Sequence, residues 1–477
     1  MKTVKLPFRA GLRRSSFEID MTNGPLLGKI VKFAIPLALS GILQLLFNAA
    51  DIIVVGQFVG PSALAAVGST SALIQLITNL FIGLSIGVNV LVARYFGAGQ
   101  RKDLSETVHT AILTSLISGV FLIFVGIALA RPLLEMMGTP EDVIDQAVLY
   151  MSIYFGGMPV VMLYNFGAAI LRAVGDTQRP LYFLFISGVV NVVLNLLFVI
   201  VLGMGVEGVA IPTVISQTIS AVLVLLCLMR SEGPYQVHLK QLRITRHKLW
   251  MMTKIGVPAG IQGATFSISN VLIQSTVNSF GSVAMAGSTA GGNIEGFVWT
   301  GMDAFTQAAL SFTGQNFGAK KYDRIHKVLM NCTLLTVVIG LVLGGGAYLA
   351  GDWLLRIYSN DPAVIEYGKG RMLMICAPYL TCGVMNVLVG AMRGLGSSIT
   401  PMVCSIFGVC VLRVVWIYTI FELNPTWLML FASYPITWII TTLIEIPCYL
   451  IIKKRAIARA QAANTGESIS GHGPQEA

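Results

Sequence analysis

Apolar residues along this chain gather into twelve long runs separated by short polar breaks. The runs fall near 30–57, 63–93, 108–130, 144–170, 181–202 and 207–229, then 253–279, 284–314, 327–350, 364–392, 401–420 and 427–451. Each compares with the roughly 20 residues that carry a helix across a bilayer. Two of them, 63–93 and 284–314, are long enough to tilt or to extend beyond the hydrocarbon. The pattern predicts an all-α membrane protein with twelve transmembrane helices. Pro36, Pro159, Pro212, Pro258, Pro378 and Pro435 interrupt apolar runs, where each removes a backbone donor and predicts a kink. Glycines such as Gly156, Gly157, Gly188 and Gly340 serve close packing as readily as bending, so residue type alone marks no hinge.

The runs repeat. Leu171-Arg172-Ala173-Val174-Gly175, with Pro180, recurs as Met392-Arg393-Gly394-Leu395-Gly396 with Pro401. Phe96-Gly97-Ala98 recurs as Phe317-Gly318-Ala319, and Ala34-Ile35-Pro36 with Asn48 recurs as Gly256-Val257-Pro258 with Asn270. Because six spans is an even number, the second copy re-enters the membrane in the same sense as the first. The fold class expected is therefore two parallel six-helix repeats, which suggests two bundles about a central path. Residues 1–29 form a cytoplasmic N-terminal segment in this reading, 30–229 the first lobe, 230–252 a linker, 253–451 the second lobe and 452–477 a cytoplasmic tail. The tail from Ala456, rich in alanine, glycine and small polar residues, is expected to be disordered and dispensable for transport.

Composition agrees with the pattern. Apolar residues make up 55% of the 477 and charged ones only 11%, too few to clothe a soluble domain of this length. Mean hydropathy is +0.77. The formal charge of +10 resides in alternate loops. Lys2, Lys5, Arg9, Arg13 and Arg14 begin the chain, Arg101 and Lys102 follow the second run, and Arg243, Arg246 and Lys248 lie in the linker. Lys320, Lys321 and Arg324 follow the eighth run, and Lys453 to Arg455 follow the twelfth. Opposite loops are short or mildly acidic, with Arg131 and Arg356 as exceptions. The positive-inside rule then puts both termini in the cytoplasm, and the basic segments beside anionic membrane lipids. Nucleic-acid binding is not expected, because no soluble domain concentrates the charge. The basic N-terminus lacks a nearby cleavage motif and reads as leading into a retained first helix. The seven cysteines fall in predicted helices and read as small buried fillers.

Polar groups inside the runs carry the candidate chemistry. Asp51 lies among Ala50, Ile52 and Ile53, and Gln44, Asn48 and Asp51 share a helical face. A carboxylate there is costly unless it meets water, a partner, a proton or a cation. Asn191 and Asn195, four apart, and Thr213 with Gln217 can complete an oxygen-rich cage around it. Each of these also suits ordinary helix association through hydrogen bonds; the cluster carries the argument. The second half supplies Glu295 and Asp303, with Gln307 beyond them, and a polar stripe of Asn270, Gln274 and Asn278. Glu295 is a candidate for meeting a positively charged substrate or carrying a coupling proton, and Asp303 lies between transport and helix packing. Arg371, Arg413 and Glu445 are candidates for internal ion pairs or for snorkelling to an interface. Trp299 and Phe305 bracket Asp303 and suit a flat organic cation, while Tyr154, Tyr164, Met158, Met162, Phe297, Met302 and Tyr379 mostly suit core packing. The chain carries no Walker phosphate loop, so ATP-driven transport would need a separate subunit. Its histidines at 109, 238, 247, 326 and 472 suggest neither hydrolysis nor a zinc site. An enzyme is not expected, and no cofactor or structural metal.

On these motifs the chain resembles the multidrug and toxic compound extrusion family, in particular its bacterial twelve-helix members. The resemblance rests on the Pro36–Asp51 segment, Val92-Ala93-Arg94-Tyr95-Phe96-Gly97-Ala98, the Leu171–Asp176 loop, Gly314-Gln315-Asn316-Phe317-Gly318-Ala319 and the Met392–Gly396 loop. It implies export of organic cations or other drugs from the bacterial cell by antiport with H+ or Na+ through alternating access, with a link to antibiotic resistance. It places the coupling acid on Asp51, and polar coupling residues on Asn191, Asn195 and Thr213. Asn195 departs from the aspartate often found there, and the seventh helix lacks the acid that other branches use, for which Glu295 is the replacement. Related transporters move lipids or glycolipids on the same architecture, so a flippase is the first alternative and a passive channel the second. The chain is expected to act as a monomer.

Overall fold

A computed structural model describes residues 17–465, and among these every regular element is helical. Helices α1 (Leu26–Val59), α2 (Pro61–Ala98) and α3 (Arg101–Met136) come first. A bent pair follows, α4 (Glu141–Gly156) and α5 (Met158–Val174), then α6 (Gln178–Val201) and α7 (Glu207–Arg230). The second repeat opens with α8 (Arg246–Asn278) and α9 (Ser282–Gly318) and continues with α10 (Tyr322–Leu349). A second bent pair, α11 (Pro362–Ile375) and α12 (Tyr379–Gly394), precedes α13 (Ile399–Phe421) and α14 (Trp427–Thr465). Counting each bent pair as one, these are twelve spans in two repeats of six.

Several details depart from the pattern of apolar runs. The fourth and tenth runs are not continuous helices but turn by 49° and 45°. Pro159 sits in the first turn of α5 and Pro378 caps α12, so neither can donate the backbone bond that would carry the preceding helix onward. Ten spans are apolar enough by composition to cross a bilayer, whereas α8 and α9 fall short. Those two carry Gln262, Asn270, Gln274, Glu295 and Asp303. The expected disorder of the tail is corrected for residues 456–465, where α14 runs on to Thr465, as the alanine-rich stretch from Ala456 favours. Helix α1 starts at Leu26 and α8 at Arg246, each earlier than the apolar runs suggest. Lys2 to Arg14, His472 and the tail beyond 465 lie outside the described residues.

The chain divides into two compact units. Unit 1 comprises the residues up to 24 together with 35–256, and unit 2 comprises 25–34 together with the residues from 257 onward. The first turns of α1 thus group with the second repeat, and those of α8 with the first. In both repeats the division falls two residues before the proline, Pro36 or Pro258.

Within unit 1, close backbone approach holds the helices. A Cβ on Gly119 of α3 would stand 2.3 Å from Pro159 Cα, so only glycine admits α5 at that distance. The 231–245 segment is tied down rather than loose. Its His238 N–H donates to His109 Nε2 at 3.0 Å and Thr245 N–H to Thr110 Oγ1 at 3.1 Å, while Lys248 reaches Asp103 at 2.6 Å. Within unit 2, Trp427, Phe431, Tyr434 and Trp438 line one stripe of α14, each ring packed on the next. Phe33, from the start of α1, meets Phe312 of α9 edge-on at 5.5 Å.

Candidate functional site

Two polar constructions stand inside the spans, one in each unit. In unit 1, Asp51 sits one turn before a π-helical segment, Val55–Val59, that ends α1. Asn195 sits just before the corresponding segment of α6, Leu197–Val201. Such widened turns recur at functional positions because they offset the helix register and re-aim side chains. Asn195 Nδ2 donates to Asp51 Oδ1 at 2.5 Å and to Asn191 Oδ1 at 3.3 Å. Asn191 Nδ2 in turn reaches Thr213 Oγ1 on α7 at 3.4 Å, and that hydroxyl donates to Val209 O at 2.9 Å.

The arrangement is a hydrogen-bonded chain of one carboxylate, two amides and a hydroxyl across three helices, each link donated by an amide nitrogen. Among the described residues no Lys or Arg pairs with Asp51, whose hydrogen bond comes from the neutral Asn195 amide, and Asn195 Oδ1 is buried without a hydrogen-bond partner. A carboxylate with this surrounding is completed by a proton or by a small hard cation, both of which oxygen ligands suit. Asn48, assigned to the same face from its spacing, is exposed and shares no bond with the group. Tyr150 and Tyr154 of α4 lie within electrostatic reach of Asp51, a proximity that sequence spacing does not reveal.

In unit 2, the polar faces of α8 and α9 open onto a cavity of about 400 Å³. Gln274, Glu295 and Trp299 line it, as does Asn270, whereas Asp303 and Phe305 do not. Phe305 is buried in the core, and Asp303 lies within electrostatic range of Arg393, itself bonded to Gln262 at 2.7 Å. The Glu295 carboxylate is already engaged. Its Oε2 accepts from Arg371 Nη2 at 2.8 Å and Nε at 3.1 Å, and Arg371 Nη1 donates to Ser288 at 2.7 Å. Glu295 therefore meets a cation of the chain itself.

The cavity also holds groups that the sequence reading did not single out, chiefly Asn386, Tyr434 and Trp438. Trp299, Tyr379, Trp438 and Tyr434 form a consecutive series of ring contacts, with centroid separations of 6.2, 5.4 and 5.6 Å. Arg413, on a short α-helical stretch between two π-helical segments of α13, lies 3.9 Å from the centre of the Tyr434 ring. The signal for α14 was present: Tyr434 and Trp438 are four apart beside Pro435 and share a helical face. Glu445 pairs with neither arginine; it is fully buried, and its Oε1 accepts from Ser405 at 3.1 Å.

Twelve spans in two repeats, with a carboxylate cage in one unit and an aromatic, charged cavity in the other, define a membrane transporter of duplicated architecture. The MatE family model matches residues 36–197 and again 258–419, once in each repeat, and the chain belongs to this multidrug and toxic compound extrusion family. A probable multidrug resistance protein of Bacillus subtilis, YoeA, is 31% identical over 443 residues, 90% of this chain and 94% of its own. A second from the same organism, YpnP, is 28% identical and covers 86% of this chain and 91% of its own. Among solved structures, the outward-facing conformation of a multidrug resistance MATE family transporter aligns with a TM-score of 0.85 at 21% identity. That alignment covers 94% of this chain and all of the other, and it supports the fold alone.

Proposed function

We propose that the protein exports small organic molecules, organic cations and other drugs among them, by antiport with H+ or Na+ through alternating access. The observation that carries this reading is the Asp51–Asn195–Asn191–Thr213 chain, an acid on a membrane span with no cationic partner among the described residues. Asp51 holds the coupling ion. With a proton bound, the carboxyl is neutral and stays hydrogen-bonded to Asn195. With sodium bound, the oxygens of Asp51, Asn195 and Thr213 replace its water. Occupancy biases the protein toward releasing its cargo outside, and ion release resets it; ion and cargo must therefore weaken one another's binding reciprocally. The multidrug resistance names of the relatives support a drug cargo. The basic loops, by the positive-inside rule, face the cytoplasm, with both termini there, in the cytoplasmic membrane of a bacterium.

Reconstituted vesicles with imposed proton and sodium gradients, varied separately, test the proposal. Accumulation should follow one of the two gradients, and Asp51→Asn, which mimics the neutral acid of the proton-occupied state, should abolish it and weaken cargo binding at equilibrium by about fivefold or more. Accumulation indifferent to both gradients would sink the mechanism. Flux that only runs downhill would mark a channel, and movement of lipid headgroups without drug export would mark a flippase.

A further inference from the structure

The unit 2 cavity contains one carboxylate and two guanidinium groups, Glu295, Arg371 and Arg413. Glu295 and Arg371 cancel. Their contact is direct, their side chains are 13% and 15% exposed, and Arg371 is further held by Ser288. Arg413 is left over. It is 5% exposed, and its hydrogen bond runs from Nε to Thr437 Oγ1 at 3.3 Å. Among the described residues no carboxylate forms an ion pair with it, and its hydrogen bond goes to a hydroxyl. Its two terminal nitrogens, which have no hydrogen-bond partner among the described residues, belong to a residue that lines the cavity.

A buried cation on a membrane span costs free energy unless something completes it. The faces of Tyr434 and Trp438, at 3.9 and 5.7 Å, offset part of this cost through their π electrons. They cannot replace an anion. Nor does Glu445 supply one, since it forms no ion pair with Arg413 and accepts from Ser405 instead. With Nε occupied by Thr437, the end-on pair of terminal nitrogens is what remains, and that fork matches the two oxygens of a carboxylate. Beside it runs the series of rings from Tyr434 to Trp299, and Asn386 and Gln274 supply neutral hydrogen-bonding groups. At about 400 Å³ the space lies at the small end of ligand pockets, suited to a compact solute.

We propose that this cavity is a binding site for flat aromatic carboxylates, with Arg413 anchoring the carboxylate and the Trp299–Tyr379–Trp438–Tyr434 series stacking against the ring system. The proposal rests on the transport reading above and sharpens it, since it selects the anionic and zwitterionic members of a drug-like cargo.

The test uses the full-length protein in non-ionic detergent, with a fluorescent naphthalene carboxylate and its methyl ester as probes, read by anisotropy. The carboxylate should bind at least about tenfold more tightly than the ester, the scale of one charge-assisted contact. Arg413→Gln should bring the ratio close to one, and Arg413→Lys should keep part of it. Equal binding of acid and ester to the parent protein would overturn the proposal whether or not the variants fold. Displacement of the probe by a short-chain anionic phospholipid, at concentrations where its zwitterionic counterpart is inert, would overturn it in favour of a lipid headgroup. In vesicles, gradient-driven uptake of a cationic dye alone would defeat this inference and leave the transport reading intact. Failure of every probe to move would defeat the transport reading, while the binding ratio would still decide the site.

Discussion

At the scale of residues, the two acids singled out from sequence have opposite surroundings. Asp51 has neutral hydrogen-bond partners, and Glu295 has an arginine. This difference predicts different responses to mutation. Arg371→Met would leave Glu295 uncompensated and should cost about 3–5 kcal/mol of stability. Glu295→Gln should cost less, because an amide oxygen still accepts from the guanidinium. The double variant should recover part of the loss of Arg371→Met, as melting temperatures in detergent would show; simple additivity would refute the coupling. Asp51→Asn removes no ion pair and should leave the melting temperature nearly unchanged. Asp51 was legible in the sequence because a carboxylate in an apolar run stands out against its neighbours. The state of Glu295 was not, because its partner lies 76 positions away. Nor did residue type distinguish Tyr434 and Trp438 from core packing; their relation to Arg413 required the fold.

At the scale of elements, the bends at α4–α5 and α11–α12 follow from local sequence, and the π-helical turns do not. A proline near the start of a helix announces a break, whereas Leu197–Val201 or Ile406–Val411 read as uniform apolar helix. The glycines around the first bend fall into two kinds. Gly119 has Pro159 where a methyl would go, so Gly119→Ala should destabilise by about 1–3 kcal/mol through overpacking. Gly156, beside the bend, has nothing within 4 Å of its absent Cβ. Gly156→Ala should be neutral or stabilise by up to about 1 kcal/mol. Melting temperatures test both. Vesicle transport by Gly156→Ala asks whether the bend also moves: an unchanged rate marks a static kink, and a fall in rate without loss of stability would mark a hinge.

At the scale of the whole molecule, the repeat was plain in the sequence, and the manner in which the units share the chain was not. Landmarks recur at a near-constant offset because the same helix ends and close approaches are built twice. Yet Ile30, Phe33 and Ala34, residues of the first repeat, are buried in unit 2. Residues 246–477 expressed alone should therefore fail to give a monodisperse, protease-resistant bundle, since Phe312 would lose the ring packed against it. A well-behaved half-chain would reject this. The shared helices also bear on how such genes can recombine. A crossover placed in the 231–245 segment, where two relatives would seem easiest to splice, joins a unit 2 from one parent to the 25–34 turns of the other. Chimeras that carry 25–34 along with the second repeat should survive more often.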